Sequence, residues 1–375
     1  MIKHIKVKNF KALKLADLEL NNLNLFAGLN GMGKSSFLQV LLLLRQSYLQ
    51  NLLQKQELGL NGSLINMGLH RDVYAQFGSE ETIYFELETV DGQKAQWTFS
   101  AEEDEDVLTS VDSISDDFFN FSLFKEGFQY LSAERLSPQS SFETSAYEVI
   151  KRKQLGNHGE FAIHYLALNK DESLLIPELK HKTVRADDST LLKNVEAWLT
   201  EISPGISLKT QIYPDMDKVR LAFQYDAGRL NVITNEFRPT NVGFGITYIL
   251  SIIVAILAAK KGDILILENP EAHLHPRGQS QMGHMMALAA QQGVQFFIET
   301  HSDHILNGIR VAAKKDSEHH VIDADKVSIF FFHREEGQAD HATSILTPKL
   351  DDNGKIDKWP EGFFDEWNRL LFELL

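Results

Sequence analysis

Gly28-Leu-Asn-Gly-Met-Gly33-Lys34-Ser35 meets the pattern G-x-x-x-x-G-K-[ST] at every position. Each residue type has a physical task there. Glycines let the backbone wrap closely, so that its N–H groups converge on phosphate oxygens. Asn30, Gly31 and Gly33 lie within that wrap, followed by Ser36. Lys34 neutralises charge on the outer phosphates, and the Ser35 hydroxyl suits Mg²⁺. Residues from about Leu18 to Ala27 read as an apolar strand, and those from Lys34 to about Leu53 repeat leucine at helical spacing. Strand, glycine loop and helix form the context the motif requires, because the helix adds its positive end to the anion site.

A phosphate loop needs a carboxylate at the end of a buried strand. Asp263-Ile-Leu-Ile-Leu-Glu268 supplies one, making Glu268 a Mg²⁺ ligand beside Ser35. Asn269, Pro270 and Glu271 follow. After one predicted helix and a second apolar strand come Glu299-Thr300-His301-Ser302, where His301 is placed to sense a terminal phosphate. His273, His275 and His301 would also serve a metal centre, since catalytic zinc usually takes three protein ligands. The nucleotide reading accounts for them without one, with His273 and His275 packing and hydrogen-bonding locally.

The bulk numbers bound the rest. A 43% hydrophobic share in 375 residues supports a substantial core, and net charge is −15. An acidic surface repels nucleic acid on average, so any DNA contact needs a local basic patch such as Lys151-Arg152-Lys153, otherwise an ordinary solvated surface. With no cysteine, disulfides and thiol catalysis drop out. The first residues lack an apolar signal core, and the apolar run Ile246 to Ala259 is short for a bilayer. A cytoplasmic location is the expectation.

Along the chain, residues 2 to 8 alternate as a strand does. Residues 82 to 100 read as a hairpin turning at Asp91-Gly92, and 101 to 117 as an acidic solvated loop. Helices are expected near 159–170, 189–202, 244–260 and 277–292, strands over 206–238, and one more strand at Lys326 to His333 before a short aromatic helix. The fold expected is α/β, a mixed sheet flanked by helices with a β-subdomain. The domain reading is 1–129 as an N-terminal lobe, 130–205 as a mostly helical insert, 206–310 as a second lobe and 311–375 as an extension.

Taken together, VKNFKAL, GLNGMGKSS, LILENPEAHLHP and IETHSDHIL resemble the ABC-type ATPases related to SMC, RecF and the OLD family. YLSAERLSP (130–138) and WPEGFFDEW (359–367) are similar to an AAA subgroup associated with antiphage defence, including Septu-type ATPases. The resemblance implies a P-loop NTPase of the SMC-head type, ATP with Mg²⁺, and a homodimer or higher oligomer closing head to tail around two nucleotides. Lys11 falls where relatives place a basic residue beside the nucleotide, Glu268 at the Walker B carboxylate and His301 at the switch histidine. Asn241-Val-Gly243-Phe-Gly245 falls at the signature that meets the opposite subunit's ATP. Gln76 is the nearest candidate for the Q-loop.

Two departures matter. Asn241 stands where the signature serine is usual, and Asn269 where the catalytic glutamate is usual. A carboxamide cannot accept a proton from water. Either Glu271 or Glu299 replaces that base, or hydrolysis is slow and ATP mainly holds a conformation; Glu271 also suits a helix-capping role. The 65 residues after Arg310 are tight for the Toprim nuclease domain of OLD-type relatives, so no nuclease activity is expected of this chain, and Asp351-Asp352 reads as a turn. The expected function is therefore a dimerising ATPase switch in defence with a separate effector such as a nuclease. The alternatives are a RecF-like DNA-repair ATPase and a nearly non-hydrolytic scaffold. A membrane partner is not expected.

Overall fold

The computed structural model describes residues 1–75, 82–100, 105–226, 234–335, 342–364 and 366–374. The chain forms two compact units, one joining Met1–Lys125 to Ala324–Leu375, the other Glu126–Asp323.

In the first unit the alternation at the N-terminus becomes strand Ile2–Phe10, with Ile5 and Val7 fully buried. It pairs antiparallel with Leu13–Glu19 on one side and Ile83–Thr89 on the other. Ile83–Thr89 and Lys94–Ser100 are the hairpin expected at 82–100. The single strand expected over Leu18 to Ala27 is two strands, Leu13–Glu19 and Leu23–Gly28. Between them the Asn24 side chain accepts the Asn21 N–H at 2.9 Å and donates back to the Asn21 carbonyl at 2.7 Å. Such local side-chain closure competes with a continuing ladder. The acidic stretch 101–117 is not all loop. Residues 101–104 lie outside the described residues, but Val107–Ser110 is a strand between Glu57–Gly59 and Lys94–Ser100. Four residues are too short a run for alternation to stand out beside flanking acids.

Leu23–Gly28 runs parallel to Val327–His333, which pairs antiparallel with Ser344–Leu346. Helix Lys34–Leu49 ends short of the expected Leu53, and Asn51 just beyond takes φ 58°. From Ser36 to Ser47 only Gln39 escapes full burial. That is why the leucines crowd every face of the helix instead of one stripe. Phe26 packs against Phe37, Phe330 and Phe332 at its root.

In the second unit, Ile264–Glu268 lies parallel between Gln295–Glu299 and Phe128–Leu131. Its four apolar residues are buried, as a strand covered on both faces must be. Helix Phe244–Ala258 is buried continuously from Thr247 to Leu257. Among the described residues no helix is long and apolar enough to cross a membrane. Helices Ala162–Asn169, Leu191–Thr200, Pro276–Gln291 and Asp303–Ala313 complete the unit. Ile206–Tyr213 and Lys218–Tyr225 pair antiparallel, with Phe142–Glu143 on the edge. Residues 227–233 of the stretch expected as strands over 206–238 lie outside the described residues.

Candidate functional site: a phosphate loop and a carboxylate–histidine cluster

Strand Leu23–Gly28 delivers the glycine loop and helix Lys34–Leu49 receives it. Gly31 and Gly33 have φ 75° and 90°, the left-handed region that glycine enters without strain. Gly28 is fixed by approach as well, because a Cβ there would lie 2.2 Å from the Phe332 carbonyl oxygen. The helix begins with no side-chain cap, which leaves its first N–H groups directed into the loop. Lys34 is only 3% exposed. Its ammonium donates to the Gly28 and Leu29 carbonyls, each at 2.9 Å. Asn30, Gly31 and Ser35 are exposed, and Ser36 is buried. Backbone donors, one sequestered cation and an exposed hydroxyl are a donor set that fits a phosphate chain with Mg²⁺.

Lys11 belongs to the same unit. Its backbone takes φ 53°, its N–H donates to the Val73 carbonyl, and its ammonium donates to Gln39 Oε1 at 3.1 Å. The lysine therefore lies against Gln39, the one residue between Ser36 and Ser47 that is left partly open. Burial lowers its pKa. Gln76 lies outside the described residues.

The second unit builds the acidic cluster. Glu268 ends its strand in register with Glu299. Its Oε1 accepts from the Tyr130 hydroxyl at 3.0 Å and its Oε2 from the Ala133 N–H at 2.9 Å. Burial, then the Glu268 charge, pushes the Tyr130 hydroxyl well above its ordinary value. Arg135, 6% exposed, donates to the carbonyls of Ser132 at 2.8 Å, Glu268 at 2.9 Å and Asn269 at 2.7 Å. Its guanidinium also sits 4.1 Å from the centre of the Tyr248 ring, and the Tyr248 hydroxyl donates to the Ala133 carbonyl. Burial pushes the guanidinium down to about 10, so it stays protonated at neutral pH. In the sequence Tyr130 and Arg135 stand out only through the resemblance of YLSAERLSP. An arginine four residues past a short strand carries no signal that it will hold the carboxylate turn of a strand more than 130 positions away.

Asn269 has φ 44°, and its N–H donates to the Glu299 carbonyl at 2.8 Å. Asparagine tolerates the left-handed region better than glutamate does, so this backbone suits the residue found here. Glu271 Oε1 accepts the His301 N–H at 2.8 Å, while buried Oε2 has no hydrogen-bond partner among the described residues. Burial raises the Glu271 pKa. Glu299 is buried, and His301 is exposed. Helix capping falls instead to His275, whose Nδ1 accepts the Arg277 N–H at 3.3 Å. His273 packs its ring against Phe244 and Tyr248, with centroids 4.5 Å and 5.2 Å away.

The raised Glu271 pKa has a stability consequence with a definite sign. A carboxyl whose folded pKa exceeds its unfolded value binds more protons when folded, so its favourable term is lost as pH rises through the folded value. Glu271→Gln should therefore raise the unfolding temperature at neutral pH, and the gain should shrink as pH falls toward the ordinary glutamate value near 4.5. Thermal unfolding of both proteins across that range checks it.

Asn241 closes the short turn Pro239–Asn241 and is exposed, and Gly243 precedes helix Phe244–Ala258. Gly243 and Gly245 differ in their surroundings. A Cβ on Gly245 would lie 2.4 Å from the His273 carbonyl oxygen, whereas one on Gly243 would meet only Ile246 Cδ1 at 4.0 Å. Elsewhere, Arg152 pairs with Glu148 at 3.1 Å, which offsets part of the 151–153 charge. Asp351 accepts two backbone N–H groups in its turn, as a loop residue does.

A glycine loop opening a buried helix, in a mixed α/β chain with a carboxylate at the end of a parallel strand, defines a P-loop ATPase fold of the SMC-head kind. The family model described as "AAA domain, putative AbiEii toxin, Type IV TA system" matches residues 23–307, and the chain belongs to that family. A second model, "Protein of unknown function (DUF3696)", matches residues 322–374. No curated protein matches the chain in sequence. Among solved structures it is similar to an SMC head bound to the C-terminal winged-helix domain of ScpA, with TM-score 0.52, 12% identity, and coverage of 93% of this chain and 98% of that one. A Pyrococcus furiosus SMC head with an extended coiled coil, bound to the C-terminal domain of ScpA, aligns at TM-score 0.49 and 13% identity over 100% and 99%. The Thermotoga maritima SMC head domain aligns at 0.46 and 8% over 93% and 99%. Identities this low speak to the fold alone.

Proposed function

We propose that this chain binds ATP with Mg²⁺ and acts as an ATP-driven dimerising switch in antiphage defence, working through a separate effector such as a nuclease. The observation that carries the nucleotide reading is the uncapped glycine loop holding the buried Lys34 ammonium. Lys34 binds the outer phosphates, with Asn30, Gly31, Gly33 and Ser36 around them and Lys11 alongside. Ser35 and Glu268 are the Mg²⁺ ligands, and the ion when bound neutralises phosphate charge. His301 reads the terminal phosphate. Glu271 is the favoured base in place of Asn269, because its buried Oε2 and raised pKa suit proton acceptance. Glu299 is the other candidate. The defence setting draws support from the family description, which names a toxin of a toxin–antitoxin system. A protein partner draws support from the similar SMC head, which is bound to a domain of ScpA.

Asn241, Gly243 and Gly245 would face the nucleotide of a second copy. Gly243 carries the test, because its open surroundings and φ of −53° make a side chain there harmless to the fold. In sedimentation velocity the protein should double in mass with MgATP. Gly243→Arg should keep its unfolding temperature and its ATP affinity but remain single. Dimerisation of the variant at wild-type nucleotide concentrations would sink the dimer reading.

A further inference from the structure

The segment matched by the family model of unknown function supplies two side chains to the phosphate loop. Arg334, just past strand Val327–His333, donates from Nη2 to the Gly31 carbonyl at 3.1 Å. Thr343, just before strand Ser344–Leu346, donates from Oγ1 to the Met32 carbonyl at 3.0 Å. The Thr343 N–H also donates to the Ala12 carbonyl at 2.9 Å, next to Lys11. One buried threonine, 6% exposed, thus ties the turn after the first strand to the loop. It also presses on Gly33, where a Cβ would lie 2.9 Å from its Oγ1.

These contacts have a direction. A phosphate loop binds through N–H groups that must all point inward, so consecutive carbonyls must point outward. Outward carbonyls need donors, or they rotate and carry the neighbouring N–H groups with them. Gly31 and Met32 are consecutive, and the C-terminal segment supplies a donor to each. Arg334 is exposed and Thr343 buried, so one donor stands at the loop's rim and the other at its base. A charged donor is the stronger of the two in kind, though solvent weakens it here.

We propose that Thr343 and Arg334 are positioning residues that hold the phosphate loop in its nucleotide-receiving shape, making the C-terminal segment part of the nucleotide site. The inference rests on the ATP-binding reading above. It assigns a task to a segment whose family description offers none. It also makes nucleotide affinity answerable to anything that moves residues 334 or 343.

Thr343→Val isolates the Oγ1 donor, because the shape and the backbone bond to Ala12 are retained. Titration of the full chain with MgATP by calorimetry should show Kd rising about 5–10-fold, the usual scale for one lost hydrogen bond. The unfolding temperature without nucleotide should stay within about 2 °C of wild type, since one partly solvated carbonyl is all that changes. Thr343→Ser should restore affinity. Arg334→Gln, at an exposed position that tolerates change, should weaken binding by about 3-fold or more and add to the valine effect. Equal affinity in Thr343→Val and wild type, or equal weakness in the serine and valine variants, overturns the proposal. So does a loss of affinity that only tracks a fallen unfolding temperature, with Arg334→Gln deciding the matter if Thr343→Val does not fold. Wild-type protein that binds no MgATP is a separate result and removes the nucleotide reading first.

Discussion

Lys34→Ala should abolish ATP turnover and weaken MgATP binding by about two to three orders of magnitude. A charge-assisted hydrogen bond to a phosphate oxygen is worth about 1.5–3 kcal/mol, and each 1.4 kcal/mol is tenfold in affinity. An ammonium spanning two phosphates makes at least two such bonds. The fold should survive, because the two carbonyls that Lys34 satisfies, Gly28 and Leu29, lie on a loop that water can reach. Steady-state phosphate release beside calorimetric binding separates the outcomes. Clear wild-type turnover lost in the variant means that a carboxylate replaces the base absent at Asn269, and Glu271→Gln and Glu299→Gln then locate it. Tight wild-type binding without turnover means that ATP is a conformational ligand. Retained binding in Lys34→Ala would remove the loop from the nucleotide site.

Arg135→Ala should cost about 3–5 kcal/mol of stability, the range seen when one partner of a buried charged arrangement is removed. Three carbonyls lose their donor at once, those of Ser132, Glu268 and Asn269. Two of them flank the Glu268 side chain, so its hold on Tyr130 and Ala133 loosens as well. Arg135→Lys should recover little, because an ammonium cannot fork to three divergent oxygens while lying flat on the Tyr248 ring. Denaturant unfolding of the three proteins checks the order. A loss below about 1 kcal/mol in Arg135→Ala would show that water replaces the guanidinium, and the turn would not depend on it.

Much of this is legible in the sequence because it is local. The glycine loop, the strand before it and the helix after it lie together between Leu23 and Leu49, and their chemistry follows from residue type and spacing. The buried strand ending at Glu268 shows itself as a short unbroken apolar run, as a parallel strand covered on both faces does. The hairpin at 82–100 came from alternation around Asp91-Gly92. Boundaries set by single side chains were not readable. The Asn21–Asn24 clasp divides what looks like one strand, and the four-residue strand Val107–Ser110 is concealed by acidic neighbours.

By itself, then, the sequence determined the phosphate loop, its flanking elements, the carboxylate and histidine at the ends of two buried strands, and the likeness to SMC-type ATPases. These depend on short-range pattern, where each residue's neighbours in the chain are also its neighbours in space. Only the tertiary structure decided what supports them. Arg135 reaches across more than 130 positions to the turn after Glu268, Thr343 reaches back to Met32, and Gly245 is glycine because the His273 carbonyl passes beside it. Hydrogen bonds and close approaches between distant residues are set by how the chain packs, and no periodicity along the sequence encodes which carbonyl a buried donor will meet.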